Sequence, residues 1–368
     1  MKQLALILFL IAFALPLHGQ TTPGDDATTA PAAQKQLVDS FLYIEDLQVR
    51  HEMLFPLPVL ESVLPLTRAE GGRITVAEQR AAKPEIAAFL SAVNPLTIDG
   101  IEVRPEGSRI VFFDNNIQNI VGDVPERDLE VRRAIVGVIL NYSTKGAPSE
   151  VGMTWGVFSG QMQTVRATVY YGDHAERKKL YSGDESITWR SPGAQPLPSI
   201  EQVSVPEKRG LFRKRPEISD STAEQVFRTL HKNVYRAFDY RTESAIYDAL
   251  AHSVAGELLA QLYLDIRRGV EIENEGGART RIREVEIVDG AVLPARDEEY
   301  GFRYDCRWTV TGTVEHWGHI HSRKNLYQAT FEIGVRDEAW KITEVSVTNQ
   351  ERLETITGLR RDDLGGGE

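Results

Sequence analysis

The chain has 368 residues, is 42% hydrophobic and 26% charged, and carries 42 Lys and Arg against 53 Asp and Glu. That composition excludes wholesale disorder, and the length points to two domains, each able to bury its own core. The net charge of −11 speaks against a general nucleic-acid binder, and the single cysteine, Cys306, excludes an intramolecular disulfide framework, an iron–sulfur cluster and a Cys-rich zinc site.

Lys2, the apolar run Leu4 to Leu15, the break at Pro16 and a polar stretch to Gln20 have the form of a secretory signal peptide over 1–20. The apolar run is too short to span a bilayer as a mature helix, and the absence of a cysteine at the cleavage site disfavours a lipid anchor. No later run reaches the length of a transmembrane helix. The sequence therefore predicts an exported protein, periplasmic or extracellular, with no membrane span once the signal is removed. Residues 21–35 are small and polar, contain Pro23 and Pro31, and read as a flexible leader.

From 36 to 190 the pattern is one of short strands. Phe41 to Ile44, Val49 to Leu54, Leu96 to Val103, Arg109 to Phe113, Val131 to Tyr142, Val151 to Phe158 and Val165 to Tyr171 are apolar or β-branched runs bounded by turn formers. Asp99-Gly100 marks a hairpin. One helix is predicted over Glu85 to Val93, where Ile86, Phe89, Leu90 and Val93 share a face behind Pro84 in the first turn. The expectation is a mostly antiparallel β domain, sandwich or barrel-like. The segment Asp114 to Asp123 is rich in oxygen ligands. As a calcium loop, however, it has Asn119 where glycine is needed and Pro125 where a bidentate glutamate is needed, so it reads as a polar loop.

Pro192, Pro196, Pro198, Pro206 and Pro216 make 191–220 an extended inter-domain linker, with a solvated basic cluster at Lys208, Arg209, Arg213, Lys214 and Arg215. The second domain, 221–350, opens on a capping box, Ser221 with Glu224, and a helical stripe of Val226, Phe227, Leu230, Val234 and Phe238. A second helix follows Thr242, with Ile246, Tyr247 and Leu250 inward. A third runs from Ser253 through Val254, Leu258, Leu259, Leu262, Tyr263 and Ile266 to a stop at Arg267-Arg268-Gly269. The period then changes to two. Phe302, Tyr304, Cys306, Trp308, Val310 and Val314 alternate with polar residues, Tyr327 to Val335 repeats the alternation, and Trp340 to Val347 closes the sheet. Helices before an antiparallel sheet give an α+β class. Residues 351–368 read as a flexible tail.

The segments YRAFDYRTESAIYDALA, CRWTVTGTVEHWG and AWKITEVSV give this domain its likeness. It resembles the nuclear-transport-factor-two-like cone fold, the superfamily that includes ketosteroid isomerase, and the whole chain is similar to exported bacterial proteins. The resemblance implies a pocket between helices and a concave sheet. Members of that superfamily are enzymes, ligand binders or dimerising scaffolds, so the fold alone does not choose a function.

Several residues carry candidate chemistry. The aromatic side chains Tyr235, Tyr247, Tyr263, Tyr304 and Trp308 suit a pocket for an apolar ligand. Asp239, Tyr304 and His316 are the acid–base candidates for an enzyme reading. The spacing of His316, His319 and His321 invites a transition-metal site, yet strand alternation sets His316 against the other two and no carboxylate completes a ligand set. Cys306 alternates with Phe and Trp and reads as a buried thiol. With no nucleotide-, flavin- or metal-binding motif in the chain, no cofactor is expected. The reading is thus an exported, non-catalytic binding or interaction protein that takes a small apolar ligand or a protein partner. The alternative is a small-molecule isomerase, dehydratase or hydrolase. A homodimer through the outer face of the second sheet, along Arg303, Asp305 and Arg307, is also expected.

Overall fold

The computed structural model describes residues 37–69, 71–114, 126–172, 174–193, 200–206, 217–274, 279–295, 300–317 and 319–359. The predicted signal and leader, most of the predicted polar loop at Asp114 to Asp123, the basic cluster 208–215 and residues 360–368 lie outside them. The chain divides into two compact units between Leu197 and Pro198.

The N-terminal unit contains, in order, β1 (Val38–Ile44), β2 (Gln48–Pro56), α1 (Leu57–Glu61), β3 (Arg73–Ile74), α2 (Val76–Val93), β4 (Leu96–Ile98), β5 (Ile101–Val103), β6 (Gly107–Asp114), β7 (Leu129–Glu130), β8 (Ala134–Ser143), β9 (Glu150–Thr154), β10 (Thr164–Tyr171), β11 (His174–Tyr181) and β12 (Ser186–Arg190). A six-stranded sheet runs β11-β10-β1-β2-β8-β6, a four-stranded sheet runs β12-β9-β4-β5, and β3 pairs with β7. The large sheet is antiparallel except where β1 lies parallel to β10. Both larger sheets and α2 share one core: Val49, Met53 and Phe55 of β2 meet Val151 and Met153 of β9 and Ile86 and Leu90 of α2.

Every residue of β2 is buried, so the half-polar pattern of a surface strand is missing. On one side His51 sits edge-on to Trp155, ring centres 6.4 Å apart, and its Nε2 is 2.9 Å from Ser40 Oγ. On the other side Arg50 and Glu52 form an ion pair of 2.6 Å, each only 1% exposed.

Helix α2 starts well before the predicted Glu85. Thr75 caps it by accepting from the Glu78 amide at 3.3 Å, and Glu78 accepts in return from the Thr75 amide at 2.8 Å. That reciprocal box fixes the first turn strongly enough that Pro84 falls inside the helix. At the other end Gly156 donates its amide to the Val93 carbonyl at 2.8 Å, and a Cβ at 156 would collide with that same carbonyl.

In the C-terminal unit, α3 (Asp220–Arg236) leads through a 3₁₀ turn (Ala237–Asp239) to α4 (Glu243–Ala251) and α5 (Gly256–Asn274). A four-stranded antiparallel sheet follows, β13 (Arg279–Pro294), β14 (Gly301–His316), β15 (His319–Arg336) and β16 (Ala339–Leu359), in chain order. Phe227 and Leu230 of α3, Leu250 of α4 and Leu262 and Ile266 of α5 pack on Tyr304, Trp308, Phe331 and Trp340 of the sheet.

Here the structure departs from the sequence reading in several places. The cap of α3 is Ser219, which accepts from the Thr222 amide at 3.3 Å, while Glu224 pairs with Arg228 one turn on. Starting two residues earlier places Asp220 in the first turn, at the positive end of the helix dipole. Helix α5 begins at Gly256 rather than Ser253, because Val254 bridges to Ile342 of β16, and it continues past Gly269 to Asn274. Strand β13 was not anticipated. Register shifts between Ile282 and Glu284 and between Ile287 and Asp289 break its period-two signal. Strand β16 extends to Leu359 by pairing with His319 to Leu326, so residues 351–359 belong to the sheet and not to a flexible tail. Part of the predicted linker is also structured: Val203 O accepts from the Trp340 amide at 2.9 Å, and Ile200, Val203 and Val205 pack on the C-terminal core.

Replacing Gly156 with alanine should destabilise the N-terminal unit by more than about 2 kcal/mol, because backbone and not a flexible side chain occupies the space of the new Cβ. Urea unfolding followed by a probe of that unit measures it. An unchanged midpoint would contradict the close approach of Gly156 to Val93.

Candidate functional site

Period-two alternation on β14 and β15 sends Tyr304, Cys306, Trp308, Phe331, Ala329 and Tyr327 to one face, and the helices cover that face. They leave a pocket lined by His231, Val234 and Tyr235 of α3, Val254 before α5, Leu258 and Leu262 of α5, and Trp308, Tyr327, Phe331, Ile342 and Val345 of the sheet. The cavity itself measures about 40 Å³, within about 520 Å³ of space between these side chains that includes open solvent at its mouth.

Histidine 231 is the centre of this lining. Its ring meets Trp308 (5.2 Å, 85°), Phe331 (5.8 Å, 83°) and Tyr235 (5.0 Å, 64°) edge to face, and tilts against Phe227 at 5.2 Å. Burial pushes its imidazole down to about 3, helped by the nearby Arg228 cation, so the ring is neutral. Its Nε2 is buried with no hydrogen-bond partner among the described residues. Trp308 donates from Nε1 to Tyr235 Oη at 2.7 Å, and Asn325 donates from Nδ2 to Tyr327 Oη at 3.1 Å. Each hydroxyl accepts in these bonds and keeps its own proton to donate. Burial raises the proton affinity of both phenols, which holds them neutral as well. The site therefore offers two hydroxyl donors and one imidazole nitrogen inside an apolar wall and has no charge in its lining.

The five aromatic residues expected to line a pocket separate. Tyr235 and Trp308 line it. Tyr304 is stacked under Phe227 at 4.1 Å and 17°, in space that a Cβ on Gly290 would invade. Tyr247 faces outward at 45% exposure, because Ile246, Ala249 and Leu250 set the buried stripe of α4. Tyr263 meets the Tyr247 ring at 5.6 Å and donates to Glu243 Oε2 at 3.2 Å. Among the acid–base candidates, Asp239 is exposed in the 3₁₀ turn and, like Tyr304, is not part of the lining. Cys306 is buried, and desolvation pushes its thiol up to about 12, which keeps it protonated.

Histidine 231 itself was missed. The available signal was a His four residues after Phe227 and three before Val234, on the apolar stripe of α3. The register pairs His316 with His319 across the hairpin. The side chains of His316, His319 and His321 lie outside the described residues, and among those described no three metal-ligating groups come together. On the outer face Asp305 accepts from Thr330 at 3.1 Å and Gln328 at 3.4 Å, Arg307 pairs with Asp289, and Arg303 donates to the Pro294 carbonyl at 2.9 Å.

No family model matches the chain, and no curated protein does. Among solved structures it is similar to the intermembrane space region of the chloroplast protein ARC6, at 19% identity, covering 36% of this chain and 98% of that one, with a TM-score of 0.24. A TM-score of that size assigns neither fold nor function.

Two buried histidines make stability depend on pH. Burial pushes His51 down to about 4 and His231 down to about 3, against 6.5 for an ordinary imidazole. Below pH 6.5 the unfolded chain takes up protons that these folded-state rings refuse, so stability falls as pH falls. At pH 5 each histidine should cost about 2 kcal/mol of stability relative to pH 8. Urea unfolding at the two pH values checks this, and His51→Gln or His231→Gln should flatten the dependence in its own unit. A slope unchanged in both variants would refute the assignment.

Proposed function

We propose that the protein binds a small, uncharged or largely apolar ligand in the pocket of its C-terminal unit and performs no chemistry on it. The observation that carries this reading is the buried, unpartnered Nε2 of His231 in an aromatic wall. A buried polar atom without a partner is costly, and a ligand hydroxyl or carbonyl placed between His231, Tyr235 and Tyr327 relieves that cost. Neutral His231 and protonated Tyr235 supply hydrogen bonds and no ionised acid or base. The order of three helices and then an antiparallel sheet supports the likeness to nuclear-transport-factor-two-like proteins. Export as a periplasmic or extracellular protein belongs to the same proposal and rests on the apolar run Leu4 to Leu15. No described helix is long and apolar enough to cross a membrane.

Calorimetric titration with 2-naphthol, a flat apolar body with one hydroxyl, tests the pocket. Saturable binding with a Kd on the order of 10–100 µM is expected. Leu262→Trp, which fills the pocket from α5, should abolish it, and His231→Leu should weaken it about tenfold. Absence of saturable binding, or full binding by Leu262→Trp, would reject the proposal. Conversion of any carbonyl or hydroxyl probe by the wild type, lost on Tyr235→Phe, would replace it with the enzyme reading.

A further inference from the structure

Residues 200–206 dock on the C-terminal unit as a short strap. Trp340 donates its amide to the Val203 carbonyl at 2.9 Å, and Ser204 bridges antiparallel to Ala339, so the strap adds to the edge of β16 at its start. Ile200, Val203 and Val205 pack on the core, whereas Glu201, Gln202 and Ser204 are exposed.

One buried side chain holds the strap by its backbone. Asn233 of α3, 2% exposed, accepts from the Glu201 amide at 3.3 Å and donates to the Glu201 carbonyl at 2.7 Å. Its Nδ2 also donates to Oγ of the buried Ser253 at 2.8 Å. The segment that begins at Ser253 joins β16 a little further along: Ile342 donates to the Ser253 carbonyl at 2.8 Å and accepts from the Ala255 amide at 3.0 Å. The strap and residues 253–255 therefore pair with the same strand, and Asn233 ties one to the other.

Each of these ties sits beside a wall of the pocket. Val234 follows Asn233, Val254 follows Ser253, and Ile342 carries the two backbone bonds; all three line the pocket. Were the strap to lift away, Asn233 would lose both bonds to Glu201 and keep only Ser253. A buried amide short of partners is costly, so the walls that carry Val234 and Val254 would shift to give it new ones. We infer that residues 200–206 are a positioning element for the pocket, coupled to it through Asn233, and that strap docking and ligand binding favour each other. This rests on the pocket reading above and adds a control to it. Coupling of this kind is reciprocal: a ligand that needs the walls in place also holds the strap down.

Hydrogen–deuterium exchange of residues 200–206 in the full chain, with and without 2-naphthol, reads the coupling from one side, and calorimetric titration of strap variants reads it from the other. Saturating 2-naphthol should slow exchange of the strap about fivefold or more. Val203 is not part of the lining. Val203→Asp, which puts a charge on the inward side of the strap, should speed its exchange and weaken 2-naphthol binding by about the same factor. Gln202→Asp, the same charge on the exposed side, should change neither. Asn233→Ala should weaken binding as Val203→Asp does, and the double variant should lose no more than either alone, because both break one connection. Strap exchange that ignores bound 2-naphthol, or wild-type affinity in Val203→Asp with the strap undocked, overturns the coupling while the pocket stands. Absence of 2-naphthol binding to the wild type overturns the pocket reading and this inference together.

Discussion

Keeping the His231 imidazole neutral inside a ring of aromatic side chains is the constraint on which the C-terminal unit depends. The ring is reached from one helix and two strands: Phe227 and Tyr235 flank His231 on α3, while Trp308 and Phe331 rise from β14 and β15. Edge-to-face packing lets these groups approach without a polar partner for Nε2, and the Trp308–Tyr235 bond locks the crossing of helix over sheet. A charged imidazole here would lack both solvent and counter-ion. The same arrangement that fixes the packing therefore leaves one buried nitrogen unspent, and that nitrogen defines the site.

The N-terminal unit solves a related problem on β2. His51 is buried neutral on the core side of the strand, against Ser40 and Trp155. One residue to either side, Arg50 and Glu52 are buried as ions on the opposite side. Such a pair adds little net stability over an apolar replacement, since desolvation of both ions offsets their attraction, but removing one partner alone is expensive. The pair thus fixes the register of a strand whose every residue is buried, because a one-residue slip would carry Arg50 and Glu52 into the apolar core.

Charge on the second sheet is arranged by face more than by position along the chain. On the outward side Lys324 pairs with Glu286 and Arg307 with Asp289. The pocket lining carries no charged side chain.

Much of the α+β order was legible from residues alone. Thr242 caps α4, the Phe302 to Val314 alternation becomes β14, and Ile246, Leu250, Leu258, Leu262 and Ile266 are buried. Local chemistry suffices there, since period and caps act within one element. Where two local signals competed, the sequence misled: Ser219 and Ser221 both offer a cap, and Thr75 outweighs Pro84 as the marker of α2. Bulges hid β13, because a shifted register erases the alternation that announces a strand. Which aromatic residues face a hollow was not written in any one element. Tyr235 and Tyr304 look equivalent in the chain, yet Phe227 covers one and not the other. The sequence by itself determined which faces are apolar. Only the packing of α3 and α5 across the sheet decided that His231 lies at their meeting point, because that depends on how distant helices and strands come together.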